Sequence, residues 1–194
     1  MSPGAAQAEA LLVDSGWEVD HCRQVRDLAL SLFDQLQPLH QLGPEQREIL
    51  EAAALLHDIG WTISGSKHHK HSYQLILDHQ ARLAGFGPRQ VALIANVARY
   101  HRKAAPAPHH EGYAALTAGE QRIVRKLAAL LRLADGLDRP HLQSVKQLQC
   151  SITDRQVLIG VQSLIDPGLH IAGASRKREF FETVYGVPVE FSIL

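Results

Sequence analysis

Apolar residues recur at helical intervals from residue 18 to about residue 136, and this periodicity limits what the chain can fold into. The segment 18–39 shows the pattern clearly. Its residues Val25, Leu28 and Leu32 are separated by three or four positions, which places them on one face of a helix. The same spacing predicts four further helices, over 45–57, 70–83, 88–102 and 118–136. Glycine and proline interrupt the pattern between these segments, so the sequence predicts a bundle of five helices with short joints.

The pattern changes after about residue 141. The stretch LQCSITDRQVLIGVQS, residues 148–163, predicts two short strands, and VPVEFSIL at the end of the sequence predicts a third. Between them, SRKREFFETVY predicts a helix. The predicted fold class is therefore mainly α. A helical bundle over 1–140 carries a small α+β extension over 141–194, which is expected to pack on the bundle as one structural unit.

The charge of the chain is balanced. Lys plus Arg and Asp plus Glu number 20 each among 194 residues. A neutral chain has no overall field that favours nucleic acid or an acidic membrane surface, and its aromatic residues are too scattered to form a stacking series. We therefore expect neither nucleic acid nor a membrane as a partner. The default role of Trp17 and Trp61 is packing.

The cysteines and the N-terminus indicate a cellular compartment. The two cysteines, Cys22 and Cys150, lie far apart and form no CxxC motif, which argues against a disulfide framework and against a thiolate metal site. The N-terminus lacks the basic start and the continuous apolar stretch of a signal peptide, and no apolar run approaches the roughly 18 residues expected of a membrane span. These features predict a soluble protein of the reducing cytoplasm.

The chain contains 12 histidines, and some of them lie on apolar helix faces. His21 precedes Val25 by four residues, so it is predicted to point inward. The same spacing argument turns His101 and Asp135 inward on later helices. Taken singly, such a histidine is more often a satisfied core residue, and such an aspartate is more often a cap or an ion-pair partner. Together they favour a metal site, because a cation would offset the cost of burying them.

His57 and Asp58 are adjacent in the sequence ALLHDIG, where a helix is predicted to end before Gly60. Adjacent side chains diverge by about 100° inside a helix, whereas both can reach one ion where the backbone changes direction. Nitrogen and carboxylate ligands suit divalent Mn, Fe, Ni, Zn, Co or Mg, and the sequence does not choose among them or between one ion and two. Such an ion activates water, so the pattern favours hydrolysis of a phosphate ester.

Four ordered motifs resemble a known family. His21, the HD pair at 57 and 58, and the aspartate of LLRLADGLD resemble the HD superfamily of metal-dependent phosphohydrolases. More narrowly, AALLHDIGWTI, HHKHSYQLI, ARYHRKAAP and ALLRLADGLDRPH resemble the C-terminal HD-type domain of the exopolyphosphatase/guanosine pentaphosphate phosphatase (Ppx/GppA) family, from about residue 15 to the end. The resemblance implies an HD-domain-like helical bundle and a metal-dependent phosphohydrolase.

The resemblance also implies a metal site. The residues that correspond to its core are His21, His57, Asp58 and Asp135. Members with two metals add histidines from the next two helices, which correspond by order to His71 and His101. Some cyclic-dinucleotide phosphodiesterases have a second adjacent histidine where this chain has Arg102. That difference argues against a full second site and against cyclic-dinucleotide cleavage.

Catalytic and phosphate-binding roles follow from the same comparison. Asp58 is a candidate general base if it bridges two ions, and His71 or His101 could protonate the leaving oxygen if either one is not a ligand. Three basic residues near candidate ligands are predicted to bind phosphate oxygens: Arg102, Lys103 and Lys70. The other histidines of these segments are expected on the surface or in loops: His68, His69, His79, His109 and His110. Roles on the surface or within the C-terminal extension are expected for Lys126, Arg176, Lys177 and Arg178.

The predicted function is hydrolysis of a phosphomonoester, phosphodiester or phosphoanhydride in a nucleotide or another small phosphorylated metabolite. The phosphatase chemistry of the resembled family belongs to an N-terminal actin-like domain, for which 194 residues leave no room, so exopolyphosphatase activity is not expected of this chain by itself. The alternative is a regulatory module that binds a phosphorylated ligand or a protein partner. A homodimer through Phe180, Phe181 and Tyr185 is possible, although a core role for these side chains is favoured.

Overall fold

The structure, a computed structural model, describes residues 2–194 and is mainly α, as predicted. The α-helices in this part of the chain are α1 (Pro3–Ser15), α2 (Val19–Gln35), α3 (Gln37–His40), α4 (Pro44–Leu56), α5 (His68–Asp78), α6 (Pro88–Arg99), α7 (Glu111–Ala114), α8 (Ala118–Leu137), α9 (Gly168–Ser175) and α10 (Arg178–Tyr185). Two 3-10 helices follow α4 and α5, at Ile59–Thr62 and Gln80–Leu83. No helix within residues 2–194 combines the length with the apolarity that a bilayer crossing needs.

The five predicted helices correspond to α2, α4, α5, α6 and α8, whereas α1 is absent from the prediction. The side chain of Ser2 caps α1 by accepting a hydrogen bond from Ala5 N at 3.2 Å, and Pro3 is its first residue. Its buried face includes the small residues Ala5 and Ala8 beside Leu11. Small side chains make the apolar periodicity weak, so the helix leaves little trace in the sequence pattern.

Two of the predicted breaks turn out to be helix starts. Gly43 and Gly87 precede α4 and α6, and the proline after each glycine is the first helical residue. The side chain of the glutamine three positions after each glycine accepts a hydrogen bond from the backbone N–H of that glycine. Gln46 Oε1 accepts from Gly43 N at 3.0 Å, and Gln90 Oε1 accepts from Gly87 N at 2.8 Å. The same local sequence therefore starts both helices in the same way.

The core of the bundle is centred on α8, which packs against α2, α4, α6 and α10. Every residue from Leu127 to Leu137 is buried. A helix that is buried all round belongs to the interior of a protein. Because Asp135 lies in this stretch, α8 carries a carboxylate into the interior.

The C-terminal part is α+β, as predicted. Strands β1 (Val145–Ile152), β2 (Val157–Ser163) and β3 (Val189–Ile193) form one sheet in the order β1-β2-β3. β1 and β2 are antiparallel, and β2 and β3 are parallel. The helices α9 and α10 make the crossover that a parallel pair requires. The sequence pattern predicts α10 but not α9.

The C-terminal part packs closely on the bundle. A Cβ atom at Gly136 of α8 would lie 2.7 Å from Ala174 Cα, and one at Gly173 of α9 would lie 2.2 Å from Gly136 O, so both positions require glycine. Phe180 and Phe181 of α10 are 6% and 0% exposed, which agrees with the favoured core role. The joint between α9 and α10 is thereby held beside the C-terminal end of α8.

Candidate metal centre

Six buried histidines and aspartates meet at helix ends and form two groups. The inner cluster consists of His21, His57 and Asp135. The outer cluster consists of Asp58, His68 and His101. Within each cluster, one nitrogen or oxygen atom from every residue lies within 4.8 Å of the others. Relative exposure of the six residues runs from 0% to 6%, so the inward orientation predicted for His21, His101 and Asp135 is correct.

The inner cluster joins three long helices. His21 lies in the first turn of α2, His57 directly follows α4, and Asp135 lies in the last turn of α8. His21 Nε2 lies 3.8 Å from Asp135 Oδ1. On the far side of the rings, His21 Nδ1 donates to Asp138 Oδ2 at 2.8 Å, and His57 Nδ1 donates to Ala54 O at 2.7 Å. With Nδ1 protonated, the neutral rings present the lone pair of Nε2 to the cluster.

The outer cluster has the same design. His68 Nε2 and His101 Nε2 lie 3.2 Å and 3.4 Å from Asp58 Oδ1. His101 Nδ1 donates to Ala98 O at 2.7 Å, and His68 Nδ1 lies 3.2 Å from Gly65 O. Three of the four imidazoles thus face the carbonyl three residues earlier. This contact satisfies a backbone acceptor and at the same time directs Nε2 inward.

Asp58 connects the two clusters. Its Oδ1 atom faces the outer cluster, whereas its Oδ2 atom lies 3.8 Å from His57 Nε2 in the inner cluster. The sequence suggested that the adjacent residues His57 and Asp58 reach one ion. In the structure they belong to different groups of three. They supply one residue to each of two neighbouring groups.

Three atoms that point into the clusters are buried and have no hydrogen-bond partner within residues 2–194: His21 Nε2, His57 Nε2 and Asp58 Oδ1. Buried polar atoms in native proteins are nearly always satisfied. With Nδ1 protonated on His21 and His57 and with Asp58 ionised, these atoms present lone pairs to one another, so hydrogen bonds between them cannot satisfy them. A cation can, and nitrogen and carboxylate donors without thiolate suit a divalent metal ion.

The local electrostatics favour the neutral form of His57, His68 and His101. Burial lowers the pKa of His57, and burial together with the neighbouring His57 ring lowers the pKa of His101 well below its usual value. Burial and the nearby Arg102 lower the pKa of His68 to about 4. Neutral imidazole is the form that binds a metal.

The two carboxylates behave differently because only one has a cationic partner. Burial and the neighbouring Asp135 raise the pKa of Asp58 to about 7. Burial also disfavours the charge of Asp135, but an ion pair with Lys177 outweighs it and holds the pKa of Asp135 below its usual range. A metal ion beside Asp58 would supply the charge that this carboxylate lacks.

Gly60 brings α5 to the site. As predicted, the helix ends before Gly60: α4 ends at Leu56, and Gly60 lies within the separate 3-10 helix that follows Asp58. Gly60 N donates to Ser72 Oγ at 2.9 Å, and a Cβ atom at Gly60 would lie 2.2 Å from His68 O. Only glycine permits this approach of the two backbones. The approach positions the first residue of α5, His68, against Asp58.

A cavity of about 450 Å³ opens onto the clusters. Four cluster residues contribute to its wall: Asp58, His68, His101 and Asp135. The same wall carries five basic side chains: Arg102, Lys103, Arg139, Arg176 and Lys177. Guanidinium and ammonium groups bind phosphate oxygens, so this cavity combines a candidate metal centre with candidate anion ligands.

Two predicted site residues lie elsewhere. His71 belongs to neither cluster. It lies about one turn after His68 in α5, and its Cβ atom packs against the backbone of Gly60, where an added Cβ would lie 2.8 Å away. His68 faces Asp58 instead. Lys70 is exposed and is not among the residues that line the cavity, whereas Arg102 and Lys103 do line it. The predicted surface location of His68 is therefore wrong, since His68 is 2% exposed.

Other site residues have little signal in the sequence. Arg176 and Lys177, expected to serve roles on the surface or within the C-terminal extension, line the cavity because α9 and α10 pack on α8. Trp61 does pack, as expected, but its partners are Trp17 at a centroid distance of 5.2 Å and the ring of His68 at 4.6 Å. The three histidines of HHKH, residues 68–71, were the available signal that His68 could be a site residue. The predicted helix began at residue 70, so His68 was placed outside it.

Comparison with known proteins identifies the family. The chain matches the family described as Ppx/GppA phosphatase, domain III, over residues 8–163. It is also 34% identical over 128 residues to the guanosine-5'-triphosphate,3'-diphosphate pyrophosphatase of Aeromonas hydrophila. That alignment covers 66% of this chain and 25% of the Aeromonas enzyme. The chain belongs to the Ppx/GppA phosphatase domain III family and corresponds to about a quarter of the length of this relative.

Proposed function

We propose that this member of the Ppx/GppA phosphatase domain III family is a metal-dependent phosphohydrolase of the HD type. The proposed substrate is a nucleotide or another small phosphorylated metabolite. The observation that carries the proposal is the set of buried, unpartnered atoms His21 Nε2, His57 Nε2 and Asp58 Oδ1 beside a cavity lined by basic side chains. Such a set is costly in a purely structural core and useful in a metal site.

We propose that each cluster holds one divalent ion. His21, His57 and Asp135 would hold the first, and Asp58, His68 and His101 the second. The donor set suits Mn, Fe, Co, Ni, Zn or Mg. The chemistry that such ions supply is Lewis-acid activation of water and of the phosphoryl group.

The protein's own residues supply binding and proton transfer. Arg102, Lys103, Arg139 and Arg176 line the cavity and would bind phosphate oxygens beside the outer cluster. Asp58 is also the proposed general base, because its carboxylate lies between the two clusters, so that Oδ2 could accept a proton while Oδ1 holds the outer ion. With its Nε2 directed at Asp58, His101 suits the role of ligand better than that of general acid.

Two further observations support the proposal. The name of the Aeromonas relative specifies a nucleotide that carries phosphoanhydrides, which favours nucleotides as the compounds to test first. In addition, Arg176 and Lys177 come from the C-terminal part, whereas the clusters come from the bundle. We therefore propose that residues 1–140 and 141–194 act as one structural unit around one cavity.

The test is metal content and turnover in protein purified without an affinity tag or added metal. We expect divalent metal by elemental analysis and hydrolysis of at least one member of a panel of nucleotides and model phosphoesters. His57→Ala should lose metal and lower turnover by about a thousandfold, because a catalytic metal contributes several kcal/mol. The matched control is His109→Ala, which removes an exposed histidine and should change neither quantity.

Other outcomes separate the alternatives. Tight nucleotide binding without turnover in the metal-loaded protein would favour a regulatory module. Absence of bound metal, together with equal behaviour of His57→Ala and His109→Ala, would refute the metal centre itself.

A further inference from the structure

His68 is the least firmly held imidazole of the two clusters. The Nδ1 atoms of His21, His57 and His101 lie 2.8, 2.7 and 2.7 Å from the acceptors behind them, whereas His68 Nδ1 lies 3.2 Å from Gly65 O. His68 is also the first residue of α5, so no helical turn precedes it and restricts its ring. A metal-binding imidazole needs a fixed orientation, and other contacts must supply it here.

An aromatic stack supplies such a contact. The indole of Trp61 lies within 23° of parallel to the His68 ring, at a centroid distance of 4.6 Å. The indole of Trp17 lies within 5° of parallel to that of Trp61, at a centroid distance of 5.2 Å. Both distances fall in the range of roughly 4.5 to 7 Å that aromatic pairs prefer. Because Trp17 belongs to the turn between α1 and α2, the stack ties His68 to a part of the bundle that is distant in the sequence.

The turn between Trp61 and His68 fits closely against the indole. A Cβ atom at Gly65 would lie 2.2 Å from Trp61 Cζ3 and 2.8 Å from Trp61 Cε3. Gly65 has no positive φ angle, so this contact, and not the backbone conformation, is what requires glycine. The carbonyl of the same residue faces His68 Nδ1. The indole thus contacts both the imidazole and the residue that orients it from behind.

Trp61 also covers the imidazole. Trp61 is 36% exposed and borders the cavity that opens onto the clusters, whereas His68 is 2% exposed. The indole is therefore the outer ring of the pair, and it separates one face of the imidazole from solvent. A small side chain in place of Trp61 would leave that face open to water and would leave the ring free to turn.

We propose that Trp61 is a positioning residue of the outer metal site. By stacking on His68, the indole keeps Nε2 of His68 directed at Asp58 Oδ1, which lies 3.2 Å away. Trp17 and Gly65 act through Trp61, because they hold the indole against the imidazole. This inference rests on the proposed function, since it requires that the outer cluster binds a divalent ion.

The test is calorimetric titration of the metal-free chain with Mn²⁺. His101→Gln removes an outer ligand, and the binding step that it abolishes identifies the outer site. Trp61→Leu should weaken that step by about tenfold and leave the inner step unchanged, because loss of a group that orients a ligand typically costs 10- to 100-fold in metal affinity. Trp61→Phe keeps a ring against the imidazole and should restore affinity to within about threefold of the unsubstituted protein.

Ile63→Ala is the matched control. Ile63 follows the same 3-10 helix as Trp61 and is an apolar residue that is 57% exposed. Its truncation removes apolar surface from the same segment without touching the stack, so neither Mn²⁺ step should change.

Gly65→Ala tests the contact from the other side of the indole. The added methyl group would displace the ring and should weaken the outer step about as much as Trp61→Leu does. In the double variant the indole is absent, so the alanine has nothing to displace. The combined loss should then exceed that of Trp61→Leu by at most about twofold, because the two substitutions break the same contact.

Three results would overturn the inference: an outer step that Trp61→Leu leaves unchanged, an equal weakening of both steps, and a Trp61→Phe variant as weak as Trp61→Leu. Multiplied losses in the double variant would also overturn it, since Gly65 would then act without the indole. All of these results are obtained on a chain that binds Mn²⁺. They are distinct from a failure of the proposed function, in which the unsubstituted chain shows no Mn²⁺ binding at all.

Discussion

The inner and outer clusters have the same chemical composition but different access to the cavity. Each contains two histidines and one aspartate, all buried. All three residues of the outer cluster line the cavity, whereas Asp135 is the member of the inner cluster that does so. His21 and His57 lie behind Asp135 and do not line the cavity. The inner cluster is therefore the more enclosed of the two, and the outer cluster is the one that a molecule in the cavity would meet.

The clusters also differ in how the fold assembles them. The inner cluster depends on the packing of α2, α4 and α8, whose apolar faces turn His21 and Asp135 inward. The outer cluster depends on a single close approach, at Gly60, which brings His68 to Asp58. Perturbations that act on one assembly and spare the other can therefore separate the two sites.

The largest difference in effect between the two clusters is expected from Gly60→Ala. The added methyl group would lie 2.2 Å from His68 O and 2.4 Å from Ser72 N, so α5 must move away. A shift of about 1 Å can cost a hundredfold in rate, and we expect a loss of that size in turnover. Calorimetric titration with Mn²⁺ should lose the site of the outer cluster and retain that of the inner cluster.

Gly119→Ala is the matched control for this substitution. Gly119 lies in the first turn of α8, and the nearest atom to its added Cβ is 3.9 Å away. Metal binding should not change, and the unfolding temperature should stay equal or rise slightly. Equal loss of both Mn²⁺ sites in Gly60→Ala would contradict the separate assembly of the two clusters.

Asp138→Asn is expected to have a smaller effect, and to act on the inner cluster. Asp138 is 0% exposed and accepts the Nδ1 proton of His21 at 2.8 Å. Loss of a carboxylate behind a metal-binding histidine typically lowers metal affinity by about 10- to 100-fold, because the ring becomes less basic and less well oriented. Mn²⁺ titration should locate the loss in the inner cluster. The exposed Asp27→Asn serves as control, and a weakening of the outer site instead would argue against this assignment.

The smallest effect is expected from Lys177→Met. The Lys177 ammonium pairs with Oδ2 of Asp135, so its positive charge opposes a metal ion bound by Oδ1 beside His21. Removing the competing cation should raise Mn²⁺ affinity at the inner cluster by about fivefold. Phosphate binding should weaken in the same variant, because Lys177 lines the cavity. Arg178→Met changes an exposed neighbour and should alter neither Mn²⁺ affinity nor phosphate binding. Lower Mn²⁺ affinity in Lys177→Met would contradict the opposition between the two cations.

Much of the helical bundle could be predicted because its helices bury large apolar side chains at regular intervals. The positions of His21, His101 and Asp135 on buried faces follow from the same spacing, and their burial agrees. The helix α1 could not be predicted in this way, since alanines form much of its buried face. Periodicity detects large apolar side chains better than small ones.

The candidate site was less predictable than the fold. Order along the chain favoured His71, but the close approach at Gly60 selects His68. Arg176 and Lys177 have an ordinary surface composition, and the packing of α9 on α8 through Gly136 and Gly173 turns them toward the clusters. Such contacts join residues that are distant in the sequence, and no local pattern records them.

The sequence by itself determined that His21, His101 and Asp135 are buried, because helical spacing decides which residues share an apolar face. It also contained the residue types of a metal centre at helix ends. The tertiary structure decided which of these residues meet, how they divide into two clusters and which cations face them. Those outcomes depend on how closely two backbones approach each other, and that distance is set by packing between elements far apart in the chain.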